Sequence, residues 1–173
     1  MLHRLVAFAL FGLLPAVAFA QEDTLQLPAR EQVHIYLLMG QSNMAGRGVV
    51  EEQDQTPHPR VIKFTKDQTL APAVDPLHFY KPTIAGVGLG SSFGRAMADA
   101  DPNVVIALIP CAFGGTPLSR WQKGGDLYQA AVARAKTAEK DGVIRGVLWH
   151  QGENDAGKEE TSRNYAERLA GMV

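Results

Sequence analysis

The sequence predicts a parallel α/β sheet flanked by helices, and three observations carry that reading. Apolar runs at about residues 33–39, 103–110 and 143–149 have the length and bulk of buried parallel strands. Each run ends in a turn that mixes glycine with polar or reactive side chains, and helical periodicity lies between the later runs. Parallel strands need right-handed crossovers and put their carboxyl ends on one edge. The three turns should therefore meet there.

Residues 1–20 read as a processing signal. Met1 to Arg4 carries positive charge, Leu5 to Leu14 is a short apolar run, and Ala18-Phe19-Ala20 is an A-x-A cleavage site. The run is too short to span a bilayer, so the expectation is a secreted or periplasmic domain over residues 21–173, free of the membrane after cleavage. Lysine and arginine number 17 against 18 acidic residues, with no basic block, which disfavours nucleic acid as a partner. Cys111 is the only cysteine, so an internal disulfide is excluded, and Ile109 and Ala112 beside it predict a buried, inert thiol. Oligomeric state is not legible, since no coiled-coil or exposed apolar stripe stands out.

After a polar lead-in, the first strand covers about 33–39 and breaks at Gly40. Residues 51–60 read as an exposed loop, with Pro57 and Pro59 around His58, and residues 60–64 as a short strand. Residues 66–82 are proline-rich without periodicity and are expected to form a long surface loop beside a pocket. Ala85 to Gly94 is dense in glycine but fits G-x-G-x-x-G in no register, which argues against a dinucleotide site. A helix should follow over about 91–100 with Phe93, Met97 and Ala100 inward. The second strand, 103–110, leads into Cys111-Ala112-Phe113-Gly114-Gly115-Thr116. An amphipathic helix over about 127–140 turns Leu127, Ala131 and Ala135 inward and closes at Gly142. The third strand, 143–149, ends in His150-Gln151-Gly152-Glu153-Asn154-Asp155. A last helix begins near Lys158, with Tyr165, Leu169 and Met172 on one side.

Ser42, just past the first strand and between the carboxamides of Gln41 and Asn43, is the candidate nucleophile. Met44 stands where G-x-S-x-G needs its second glycine, so the nucleophile elbow is not supported; on spacing alone, Ser42 fits a helix cap slightly better, and the later turns reverse that order. The later turns add what acyl transfer needs. Gly115 lets a backbone N–H approach an oxygen closely, and Gln151 and Asn154 offer side-chain amides to a developing oxyanion. His150 reads as a scaffold residue more readily than as a base, and His34 and His58 as structural or solvent-facing. Glu153 and Asp155 are given orienting roles, and Trp121 stands evenly between a sugar platform and core. No histidine and carboxylate cluster at metal-ligand spacing is legible.

Together GQSNMAG, GVGLG, PCAFGGT with Arg120-Trp121, and WHQGEND resemble the sialate O-acetylesterase-like carbohydrate esterases of the SGNH hydrolase superfamily, acetylxylan esterases included. The resemblance spans about Val33 to the C-terminus. It implies a flavodoxin-like three-layer α/β/α sandwich that removes acetyl groups from sugar hydroxyls without metal or organic cofactor. By position, Ser42 matches the nucleophile, and Gly115 the glycine of the oxyanion hole. Asn154, or Gln151 in its place, matches the third donor. Gln41, Asn43, His78, Arg120, Trp121 and Glu153 are the candidate substrate contacts, and an acetylated carbohydrate is the expected partner.

Two departures stand out. Leu89 replaces the proline of G-V-G-P-G, and no histidine follows His150, whereas the family takes its base from a later Asp-x-x-His. Asp75-Pro76-Leu77-His78 has that spacing but lies upstream, and reads as scaffold. The expectation is a chain that lacks the base-bearing segment: either a truncated esterase or a non-catalytic, exported glycan binder.

Overall fold

In the computed structural model, residues 25–173 are described; the expected processing signal lies outside them. The chain enters β1 (Val33–Gly40), whose side chains are buried alternately on both faces. Val33, Ile35, Leu37 and Met39 point to one core layer, Leu38 and Tyr36 to the other. A strand with apolar side chains on both faces is best satisfied in the middle of a covered sheet, and β1, apart from His34, is such a strand and is interior. After the short α1 (Ser42–Ala45) come β2 (Val61–Phe64) and β3 (Leu70–Pro72), an antiparallel pair. Then follow α2 (Leu89–Ala100), β4 (Val105–Pro110), α3 (Asp126–Ala138) and β5 (Val143–His150). The sheet order is β3-β2-β4-β1-β5, parallel apart from β3, with helices on both faces. The predicted layered α/β sheet is present, with one antiparallel edge strand added.

α2 packs with Leu38, Ile106 and Leu108, whereas α3 packs with Ile35, Leu37 and Ile109 on the opposite face. Both crossovers advance the same way along the sheet, from β2 to β4 and from β4 to β5. The connections through α2 and α3 thus run over opposite faces of the sheet. The antiparallel β3 intervenes between β2 and α2, so that connection is not a simple strand–helix–strand unit.

Of the residues of α2 expected inward, Phe93 and Met97 pack against the core, but Ala100 does not. Gly90, Gly94 and Ala98 are buried, while Ala100 is exposed. A Cβ on Gly90 would come within 2.6 Å of Leu38 Cδ1, so the helix sits too close to the sheet for larger residues. Phe93 lies on the flank, edge-on to Tyr36 at 4.9 Å.

Residues 66–82 are not a surface loop. They contain β3, and Ala73, Asp75, Leu77 and His78 are all buried. Lys63 Nζ donates to the carbonyls of Val74 and Pro76 at 2.8 and 3.2 Å, and Ser91 donates to the Asp75 carboxylate, so part of the segment's polar composition is satisfied inside the protein. The last helix is interrupted: α4 (Glu153–Ala156) and α5 (Glu159–Arg163) precede α6 (Tyr165–Ala170), with a non-helical Asn164 between the last two. Cys111 is buried as expected, and burial pushes its thiol up to about 12.

Candidate active site

The site is built where β1, β4 and β5 end. Gly40 has φ +139°, and a Cβ there would fall 2.0 Å from the His150 carbonyl oxygen, so only glycine lets β5 close over this turn. The Gln41 N–H donates to that same carbonyl at 2.9 Å. Gln41, buried, takes the N-cap position of α1, and no side-chain capping bond exists there. The cap reading of Ser42 therefore fails. Ser42 is instead the first helical residue, half-buried, and its hydroxyl has no hydrogen-bond partner among the described residues.

The turn after β4 is laced to β1 by the Cys111 N–H to Leu38 O at 3.0 Å and the Phe113 N–H to Gly40 O at 2.9 Å. This brings Gly114 against the serine: a Cβ on Gly114 would stand 3.6 Å from Ser42 Cβ. Gly115 follows with φ +77°, and nothing lies within 4 Å of where its side chain would be. The turn after β5 supplies Asn154, whose Nδ2 donates to Gly115 O at 3.3 Å. Three chain segments distant in sequence thus reach one point.

Gln151 does not fit the donor role considered for it. Its Nε2 has two protons and faces Asp155 Oδ2 at 2.7 Å, Thr116 O at 3.0 Å and Gln41 Oε1 at 3.3 Å. Its Oε1 accepts from the Tyr165 hydroxyl at 2.7 Å, and the residue is buried. No proton remains for a ligand. Gln151 fastens the turns together, and of the two amides only Asn154 is exposed.

Trp121 is fully buried, donates from Nε1 to Thr116 Oγ1 at 3.0 Å, and stacks edge-on with Trp149 at 5.5 Å. It is core, not a sugar platform. His78 is also buried, and desolvation lowers its ring to about 4, leaving it neutral and unable to meet substrate. Asp75 makes no hydrogen bond to it; its carboxyl is pushed up by burial, and its Oδ1 and His78 Nε2 both lack a partner among the described residues. The D-x-x-H spacing does not form a catalytic pair. Arg120 is tied up by Asp126, from Nε to Oδ1 at 3.0 Å and from Nη2 to Oδ2, which raises the guanidinium and lowers the carboxyl.

Asn43 and Glu153 do stand at the site, joined by a hydrogen bond from Asn43 Nδ2 to Glu153 Oε1. That carboxylate oxygen also lies 3.8 Å from His150 Nε2, both side chains being substantially exposed. No histidine hydrogen-bonds Ser42 among the described residues. On the other flank stand groups that residue patterns did not single out. The Arg47 guanidinium lies against Gly114, Lys81 Nζ donates to Gly114 O at 2.9 Å, and the Phe113 ring meets Tyr80 at 5.2 Å. Asp155 was given an orienting role, and the structure shows what it orients. Its carboxylate, 1% exposed, accepts from the Leu118 N–H at 2.8 Å, from Gln151, and from Arg168 at 3.2 Å. A separate apolar groove of about 670 Å³, lined by Leu37, Met39, Ala131, Val147 and Trp149 among others, lies on the α3 face of the sheet and contains none of these groups.

A mostly parallel α/β sheet thus brings serine, glycine and asparagine to neighbouring strand ends. The chain belongs to the family described as carbohydrate esterase, sialic acid-specific acetylesterase, which matches residues 32–173. It is 32% identical over 158 residues to a probable carbohydrate esterase of Arabidopsis thaliana, covering 80% of this chain and 61% of that relative. The chain thus spans less than two thirds of that relative's length. The crystal structure of an Arabidopsis thaliana protein aligns with a TM-score of 0.75 at 31% identity, over 80% of this chain and 66% of that one. The crystal structure of NanS aligns at 0.67 and 20% identity, over 84% and 61% of the two chains. A carbohydrate acetylesterase from Xanthomonas citri aligns at 0.54 and 16% identity, over 80% and 37%. The last two likenesses establish the fold alone.

Proposed function

We propose that this chain carries the nucleophile and oxyanion hole of a serine-dependent carbohydrate O-acetylesterase. The observation that carries the reading is the meeting of Ser42, Gly114-Gly115 and Asn154 from three strand ends. Ser42 Oγ attacks the acetyl carbonyl carbon and gives its proton to a base. The oxyanion that develops is held by the backbone N–H groups of Ser42 and Gly115 and by Asn154 Nδ2. Collapse releases the sugar hydroxyl, which takes the proton back, and water then cleaves the acetyl-serine to acetate. We assign the base to a histidine outside residues 25–173, because His150 neighbours Glu153 and makes no hydrogen bond to Ser42. Residues 1–20 are proposed to direct export.

The free Ser42 hydroxyl also favours a second reading, an exported domain that binds acetylated glycans without turnover. Acetate release from acetylated xylan, from O-acetylated sialic acid and from a small acetyl ester separates the two. In a form of the protein that also carries the base, the esterase reading expects release and its loss to background in Ser42→Ala, since a missing nucleophile costs about 10⁶-fold in turnover. No release by that form from any of the three substrates, or equal release by it and its Ser42→Ala variant, ends it.

A further inference from the structure

Tyr165, the first residue of α6, reaches back to the turn that carries Asn154. Trp149 Nε1 donates to its hydroxyl at 3.1 Å. An indole N–H can only donate, so the single proton of the hydroxyl is left for Gln151, whose backbone O and Oε1 stand 2.8 and 2.7 Å away. The donor behind the hydroxyl is itself anchored, because Trp149 packs edge-on against the fully buried Trp121.

The Gln151 carbonyl stands just before the sharpest point of the turn. Gly152 has φ +146°, a backbone that favours glycine, and takes the N-cap position of α4 with no side-chain capping bond. Its own carbonyl accepts from the Asp155 and Ala156 N–H groups at 2.9 and 2.8 Å. The tyrosine ring lies against it, since a Cβ on Gly152 would stand 3.8 Å from Tyr165 Cζ. Among the described residues, no donor other than Tyr165 reaches the Gln151 carbonyl. The hydroxyl therefore sets the plane of the 151–152 peptide, and that peptide sets the direction in which α4 starts. α4 is one turn long and Asn154 is its second residue, so the carboxamide goes where the peptide sends it.

We propose that Tyr165 is a positioning residue of the site: through the Gln151–Gly152 peptide, its hydroxyl holds Asn154 Nδ2 where the oxyanion develops. This rests on the esterase reading and adds to it a residue from a different helix, which touches neither Ser42 nor Gly115.

Two measurements test it, and the first needs no turnover. Exchange of the Asn154 side-chain amide with water is followed by NMR in asparagine-labelled chain, with Asn154→Ala identifying its signals. In Y165F this exchange should quicken about fivefold, as expected when a hydrogen-bonded restraint is lost. Asn103, bonded to Asp101 Oδ1 at 3.2 Å ahead of β4, should not change. In a form of the protein that also carries the base, Y165F should lower kcat for acetate release about tenfold, less than the loss of a whole oxyanion donor, and leave KM within about twofold. In the N154A background it should cost nothing further, because the group it places is gone. Circular dichroism confirms that the variants fold. Unchanged Asn154 exchange in Y165F, a loss confined to KM, or losses that multiply in the double variant overturns the proposal. So does a lowered urea midpoint with exchange and kcat unchanged, which would make Tyr165 a contact of the fold alone. Failure of the esterase reading shows separately, as acetate release that does not depend on Ser42, and leaves the exchange result standing.

Discussion

Asn154 Nδ2 donates to the Gly115 carbonyl at 3.3 Å, joining the turns that follow β5 and β4. One carboxamide proton is aimed at that carbonyl, and the exposed side chain has a second to give. Asn154→Ala should therefore lower kcat by about 10²–10³-fold in acetate release, the range for losing one oxyanion donor. The midpoint of chemical denaturation should move little, because the residue is exposed. A kcat near the parent's would place the third donor elsewhere.

Asp155 acts one layer below. Its buried carboxylate ties the Leu118 N–H, Gln151 and Arg168, and so holds the β4 turn against the β5 turn. Asp155→Ala leaves a buried N–H and a partly buried guanidinium unpaired, which should cost roughly 3–5 kcal/mol in urea unfolding. Asp155→Asn retains one acceptor oxygen and should cost less. Equal, small losses in both variants would show that the carboxylate does not hold the turns together.

How much of this was legible in the sequence depended on whether a residue's chemistry advertised its environment. Strands β1 and β4 were legible because sheets covered on both faces demand apolar runs. β5 was legible by its β-branched and aromatic residues, but it is an edge strand with no buried residue, so the burial expected of it does not hold. Ser42, Gly115 and Asn154 followed, since each sits one turn past such a run. Trp121 stayed ambiguous because Arg120 and Gln122 flank it with polarity while its own indole fills the core. Asp75 and His78 looked like surface because their partners, Ser91 and the interior around Leu38, come from distant chain. Gln151 could not be separated from Asn154 by type, since only the neighbours of each amide decide which has a proton to spare.

Gly40 is a purely steric requirement. With φ +139° and the His150 carbonyl 2.0 Å from a would-be Cβ, Gly40→Ala must either strain the turn or part β1 from β5. Backbone, not a flexible side chain, is in the way. A loss of roughly 2–4 kcal/mol is expected in denaturant unfolding, at the upper end for single substitutions. Amide hydrogen exchange should quicken at Gln41, whose N–H bonds that carbonyl. Unchanged stability and exchange would mean that β5 can shift without cost.

His78 sets an acid limit on the fold. Its ring falls to about 4 in the folded chain from an ordinary 6.5, mainly because burial disfavours the imidazolium, with Arg134, Arg47 and Lys63 adding repulsion. Between these values the unfolded chain binds more protons than the folded one, so stability rises with pH across that window. The contribution is fully present above about 6.5 and is lost as pH falls towards about 4, amounting to about 3 kcal/mol. Asp75, raised by its own burial, works the other way: the folded chain takes up its proton above the ordinary carboxylate range, so falling pH favours the folded state there and offsets part of the loss. Urea midpoints should therefore decline from pH 7 to pH 4 in the parent and decline less in His78→Gln, which keeps polarity and similar volume but does not titrate. Parallel declines in the two proteins would assign the acid sensitivity to other groups.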